Sequence, residues 1–442
     1  MIPVEGRVLP GLDEFMLRLG HLKVLCAVIA TGGGTWRRIN REAAELLKTP
    51  VPVHFDSDSS VAEYLYRKQL CRVMTLKFKE SKSKREPRYP DILVQQVDSK
   101  SFEFSDFQSG SNSSIQWQDY CLADSRIRST VGAVTTEARS GSKTGFSHVC
   151  DWAISLELIA KNGQILPKGR LLTSLTSPDH DAKMSDSNPY LLGSEIVILA
   201  YAYLMQDMDI FVRLLPKILS ADQPLTRSVC GCLFVEALEG AITDGEQSNV
   251  LSAGAYHKIY HQLRDLKKAT RRSRKDIGKT STAWHRAASR FETYVDLGLL
   301  DKVRRGSEEK FKYVYYRNSS TQTACETLEE ASSARQWIDK YLSAIVFGNS
   351  DHEQRLSESE LLSILPSIVT QLSLPTRLLP IDAVILGMVR DAFDNGIQMS
   401  IGAARDSIEA LVRTRSDVAR LSRGTRGDKA EFVSLDVKRM EA

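Results

Sequence analysis

Residues 281–317 read STAWHRAASRFETYVDLGLLDKVRRGSEEKFKYVYYR, and their reading decides how the rest of the chain is organised. Trp284, Ala287, Ala288, Phe291 and Val295 recur at spacings of three and four, which predicts a helix with one apolar face. The opposite face carries Thr282, His285, Arg286, Ser289, Arg290 and Thr293, a hydrogen-bonding and cationic set. Gly298 stands where such a helix ends. Beyond it, residues 299–304 and 311–317 read as two short strands around a turn at 306–309.

Charge gathers around this unit. The chain of 442 residues has a net charge of +4, yet residues 251–317 hold 17 Lys/Arg against 7 Asp/Glu. That local excess of +10 leaves −6 for the other 375 residues. A basic island in a slightly acidic chain is the footprint of a polyanion contact. Its densest part is 267–279, KKATRRSRKDIGK, with Lys267, Lys268, Arg271, Arg272, Arg274, Lys275 and Lys279. Each cation that meets a phosphate releases condensed counterion, giving affinity without sequence preference. The helix that follows offers Arg286, Arg290, His285 and Ser289 on its polar face, where Arg can bridge guanine and short hydroxyls such as Ser289 can position on phosphate. Arg304 and Arg305, at the base of the hairpin, would reach backbone or minor groove.

Helix, glycine and short hairpin resemble the winged-helix DNA-binding superfamily over residues 250–317. In that superfamily the helix is the recognition helix and the hairpin is the wing, which implies double-stranded DNA as partner. Residues 120–175 resemble the same module more weakly. There a helix over 146–159 places Val149, Trp152, Ala153, Leu156 and Ile159 on one side, a turn follows at 161–164, and a truncated wing begins at 165–172. A third copy is expected at 381–436, with helices at 381–395 and 401–413 and a hairpin from 418–423 and 430–435. Arg420, Arg423 and Arg426 stand at or near its tip.

Elsewhere helices are expected at 15–30, 35–47, 61–79, 250–268, 327–346 and 357–372, and through 191–241 with a break at Asp222-Gln223-Pro224. The fold class is thus mainly α with short β-hairpins, in several domains, with tandem winged-helix-like modules and a helical middle. The divisions are 1–117, helical with a hairpin; 118–176, winged-helix-like; 189–249, a helical core or the platform of a homodimer; 250–320, the basic winged helix; and 327–442, helical and winged-helix-like.

A second resemblance concerns 60–105. Glu63 on a helix, Pro90-Asp91 opening a strand, and Glu103 on a return strand at 101–104 are similar to the PD-(D/E)xK endonuclease-like arrangement. The resemblance implies carboxylates that hold Mg²⁺ and a lysine that helps activate water. The pattern departs at Ser105, where the lysine would stand. A Mg-dependent nuclease is therefore the alternative function, and a winged-helix protein–protein scaffold is another.

Other chemistry is thin. The seven cysteines are scattered among apolar neighbours and fit buried thiols better than a disulfide framework. Cys230-Gly231-Cys232 has poor spacing for zinc, and His257 and His261 lack the zincin glutamate. Gly32-Gly33-Gly34 has no Lys-Ser/Thr after it. No metal or cofactor is expected. With 42% hydrophobic and 26% charged residues, and no run of about 18 apolar residues, a membrane span is not expected either. The expectation is a non-catalytic DNA-binding subunit of a larger DNA-processing, chromosome-maintenance or defence complex, with other protein subunits as partners. It would be cytoplasmic and nucleoid-associated, or nuclear in a eukaryotic host.

Overall fold

The computed structural model describes residues 2–9, 19–32, 50–52, 75–79, 91–95, 114–116, 146–161, 163–173, 184–185, 188–248, 253–273, 276–305, 312–347, 356–372, 378–423 and 431–440. Segment 2–9 buries Ile2, Val4, Val8 and Leu9. Helix α1 (Leu19–Gly32) buries Leu19, Leu22, Leu25, Cys26 and Ile29 along one stripe, the spacing of a helix packed on one side. Strands β1 (Pro50–Pro52), β2 (Thr75–Lys79), β3 (Asp91–Gln95) and β4 (Ser114–Gln116) form two antiparallel ladders, β1 with β4 and β2 with β3. The stretch expected as helix to residue 79 therefore ends as a strand. Leu76 and Phe78 alternate with polar residues and stand opposite Val94 and Ile92, so cross-strand pairing overrides local helix propensity.

Helix α2 (Phe146–Ser155) is followed by a single antiparallel bridge, Ile159 to Ile165, and by the short helix α3 (Pro167–Arg170). The expected truncated wing at 165–172 is a helical turn instead. Pro167 stands in its first turn, where a missing N–H costs nothing. Strands β5 (Met184–Ser185) and β6 (Asn188–Leu192) pair and lead into α4 (Gly193–Leu219). Residues 196–204 of α4 form an apolar run that leaves no polar side, and all of them are buried. It breaks at Asp207, where φ −127° and ψ 16° leave the helical region.

Leu225 then forms an isolated bridge before α5 (Arg227–Ser248), α6 (Ala253–Ser273), a 3₁₀ turn at Ile277–Lys279, and α7 (Ser281–Asp296). Thr280 caps α7 by accepting from the Ala283 N–H at 3.1 Å. Gly298, at φ +71°, turns the chain into the hairpin β7 (Leu300–Arg305) and β8 (Lys312–Arg317). Gly231 and Gly278 let α5 and the 3₁₀ turn touch. A Cβ on Gly231 would lie 2.3 Å from the Gly278 carbonyl oxygen.

The single helix expected over 327–346 is two, α8 (Ser319–Glu330) and α9 (Ala334–Phe347). Ser333 starts the second by accepting from the Gln336 N–H at 3.1 Å. After α10 (Glu358–Leu372) come β9 (Leu378–Pro380), α11 (Ile381–Asp394), α12 (Ile401–Thr414), β10 (Ala419–Arg423), β11 (Glu431–Leu435) and α13 (Val437–Met440).

The chain follows one path twice. From α4 it runs through the Leu225 bridge, α5 and α7 into β7–β8, and Leu225 pairs with Tyr315 of β8. From α10 it runs through β9, α11 and α12 into β10–β11, and β9 pairs with β11. In both, the second hairpin strand lies between the first and the strand before the second helix. The first copy differs by the inserted α6.

One hydrophobic core runs from Ile2 to Leu435. At its centre α4 packs on α5, α8, α9 and α11, so its faces are used within the chain. The protein is mainly helical, with short antiparallel strands. Among the described residues no helix is long and apolar enough to cross a membrane.

Candidate nucleic-acid interface

The polar face of α7 is not a surface. Arg290 is wholly buried, and its Nε and Nη2 donate to the two carboxylate oxygens of Asp207, each at 2.7 Å. Its Nη1 donates to the Arg286 carbonyl at 2.8 Å, and the guanidinium lies 4.6 Å over the Phe234 ring. Asp207 also accepts from the Tyr203 hydroxyl and the Leu9 N–H, both at 2.9 Å. Burial works against the Arg290 charge, but the Asp207 carboxylate outweighs it and holds the guanidinium above its ordinary pKa. Burial, with Asp207 beside them, pushes the Tyr203 and Tyr294 phenols up.

Further along α7, Glu292 meets Lys302 at 2.9 Å and accepts from the Tyr315 hydroxyl, and Asp296 accepts from the Leu19 N–H at 2.9 Å. Ser289 is buried and donates to the Arg286 carbonyl at 3.3 Å. Arg290 and Ser289, expected on a DNA-facing side, are therefore corrected to interior residues. The polar spacing that reads as a solvated face is turned inward instead, with Arg290 held by Asp207 and the Leu9 carbonyl. His285 is half-buried, and Arg286 is 8% exposed beside Asp265 of α6.

The exposed cations lie on α6. Ile259, Leu263 and Leu266 face inward, and Gln262 donates to the Leu9 carbonyl at 2.7 Å. His257, Tyr260, His261, Arg264, Lys267 and Lys268 are exposed and recur at helical spacing along the other side. The His257 and His261 rings stack with centroids 5.3 Å apart, and Arg264 Nη2 lies 2.6 Å from His261 Nδ1. Arg271 and Arg272 continue the helix in its last turn. From His257 to Arg272 the helix extends about 22 Å at 1.5 Å per residue. Its one acid is Asp265. Sequence reading named Lys267, Lys268, Arg271 and Arg272 here but passed over Arg264 and Tyr260; the signal was the 257, 260, 261, 264, 268 spacing.

The other expected residues fall as follows. Lys279 is exposed and bonds to exposed Asp276 at 2.7 Å, which raises the ammonium pKa and lowers that of the carboxyl. Arg304 and Arg305 end β7, opposite Tyr313 and Lys312. Arg423 ends β10, opposite Glu431. Arg274, Lys275 and Arg426 lie outside the described residues, as do Glu63 and Glu103. Asp91 opens β3 opposite Lys79. Among the described residues no group of three or more His, Cys, Asp or Glu is placed to hold a metal ion. Burial pushes the Cys26 thiol up to about 12, and burial with Glu329 and Glu326 does the same for Cys325.

In the C-terminal copy the third helix, α12, is partly open but not basic. Arg405 is drawn inward to Asp382 at 2.9 Å, Asp339 at 3.5 Å and Glu431 at 3.6 Å. Asp406 and Ala410 are exposed. Comparison of the chain with known protein families, with curated proteins and with solved structures finds no match.

Proposed function

We propose that this chain is a non-catalytic binder of double-stranded DNA, built on two winged-helix modules, the central one and the C-terminal one. The observation that carries the reading is the exposed stripe of α6, with Arg264, Lys267 and Lys268 beside Tyr260 and the two histidines. From Arg264 to Arg272 the cations of α6 span about 12 Å, enough to meet more than one phosphate along one strand of a duplex, and the hairpin end at Arg304 and Arg305 adds charge to the same module. The contact element is α6, the inserted helix, in place of the third helix α7. The repeated helix–strand–helix–helix–hairpin path, with its shared strand order, supports the winged-helix assignment. The C-terminal module, whose α12 exposes one acid and one cation, Asp406 and Arg413, and no cationic stripe, is the end that contacts other subunits of a DNA-processing assembly.

Fluorescence anisotropy with a short duplex, read across a salt series, tests this. Binding is expected to weaken steeply with salt, and Lys267→Ala with Lys268→Ala to reduce the slope of log K against log salt by about 1.8, two phosphate contacts at about 0.9 each. No duplex binding at about 50 mM salt, or a slope unchanged by both substitutions, contradicts the proposal.

A further inference from the structure

Helix α7 carries two buried arginines one turn apart, and they are not equally matched. Arg290 has both oxygens of Asp207, a carbonyl from its own helix and an aromatic face. Arg286 is also more than nine-tenths buried, yet among the described residues its one side-chain hydrogen bond goes from Nη2 to Asp265 at 3.4 Å. Its Nε and Nη1 are enclosed and, among the described residues, have no hydrogen-bond partner. A guanidinium offers five donors in a rigid fork, and enclosing one with a single long contact leaves a strong, unfilled demand for an anion.

Asp265 is the solvent-facing member of the pair. Its side chain is 45% exposed against 10% for Arg286, and it lies on α6 next to the exposed Arg264. The carboxylate is fixed to the α6 backbone and reaches Arg286 with one oxygen only. A phosphate oxygen has no such tether and can approach Nη2, the guanidinium nitrogen that Asp265 now holds at 3.4 Å, more closely.

We infer that Arg286 is a phosphate anchor at the seam of α6 and α7, and that Asp265 fills it in the free protein as an internal stand-in that a phosphate displaces. This rests on the proposed reading of α6 as the DNA face, and it identifies the side chain beneath that face that grips the backbone.

Four proteins test it: the full chain, Asp265→Asn, Asp265→Asn with Arg286→Gln, and Asp276→Asn, which removes an exposed acid of the same basic region that has no contact with Arg286. Each is measured in two ways. One is the thermal unfolding midpoint in inorganic phosphate against chloride at equal ionic strength; the other is duplex affinity over a salt series. Asp265→Asn is expected to gain phosphate-specific stabilisation and to bind duplex about tenfold tighter, with a salt slope steeper by about 0.9. Both gains vanish when Arg286→Gln is added, and Asp276→Asn shows no phosphate-specific gain. If Arg286→Gln does not fold, Arg286→Met replaces it, keeping the length without the charge, and it too loses the phosphate gain. A gain that survives loss of Arg286, or an equal gain in Asp276→Asn, overturns the anchor. DNA binding that is intact but indifferent to Asp265→Asn in both measurements also overturns it. Phosphate stabilisation without duplex binding in any protein keeps the anchor and removes the DNA reading.

Discussion

The central and C-terminal copies follow the same path and put opposite surfaces around it. In the central copy the third helix, α7, is enclosed by α5, α6, the hairpin and segment 2–9, and its Arg290 is spent on the interior carboxylate of Asp207. In the C-terminal copy α12 keeps an open side, which presents Asp406 and Ala410 and, in the last turn, Arg413, with no cationic stripe. Connectivity is repeated while the interface is not. The inserted α6 explains the difference: it covers the helix that would otherwise face outward and carries the exposed cations itself.

The difference should appear first in stability. Asp207→Asn leaves Arg290 buried without its counter-charge and is expected to cost about 3–5 kcal/mol in denaturant unfolding. A loss below about 1 kcal/mol would mean that Arg290 finds water or another acceptor and that the α7 centre is not sealed. The matching change in the C-terminal copy, Arg405→Ala, is expected to cost less, about 2 kcal/mol. Asp382 keeps Arg335 at 2.9 Å when Arg405 is gone. Equal costs in the two copies would erase the distinction drawn here.

Much of the fold is legible in the sequence because it is local. The helix pairs at 381–395 and 401–413, the hairpins at 299–317 and 418–435, and the Gly298 stop all follow from spacing and turn residues, and the observed elements lie within two residues of them. The polar face of α7 was misread for a physical reason. Thr282, Arg286, Ser289, Arg290 and Thr293 have the period of a solvated stripe, and a single sequence does not show that Asp207, 83 residues away, waits for Arg290. The ends of chain-distant pairs carry no local signature. The α6 stripe was half legible, since composition marks its basic end and only the buried positions Ile259, Leu263 and Leu266 show which side is outward.

A smaller effect depends on pH. Burial raises the pKa of Asp339 despite Arg335, and raises that of Asp209 despite the N–H groups of Glu5 and Arg7. An acid whose folded pKa is raised binds its proton more tightly in the native state. Its contribution is therefore fully present below the unfolded value near 3.8 and is lost as pH rises through the folded pKa. The stability of the natural protein relative to Asp339→Asn is expected to increase as pH falls through that window, measured by urea unfolding at a series of pH values. A difference that shrinks on acidification would reverse the assigned direction.

Hydrogen exchange of the protein with and without a short duplex tests the central claim most directly. The account predicts new protection in α6 and in the β7–β8 hairpin, and none in α12. Protection that appears in α12 and leaves α6 unchanged would contradict it.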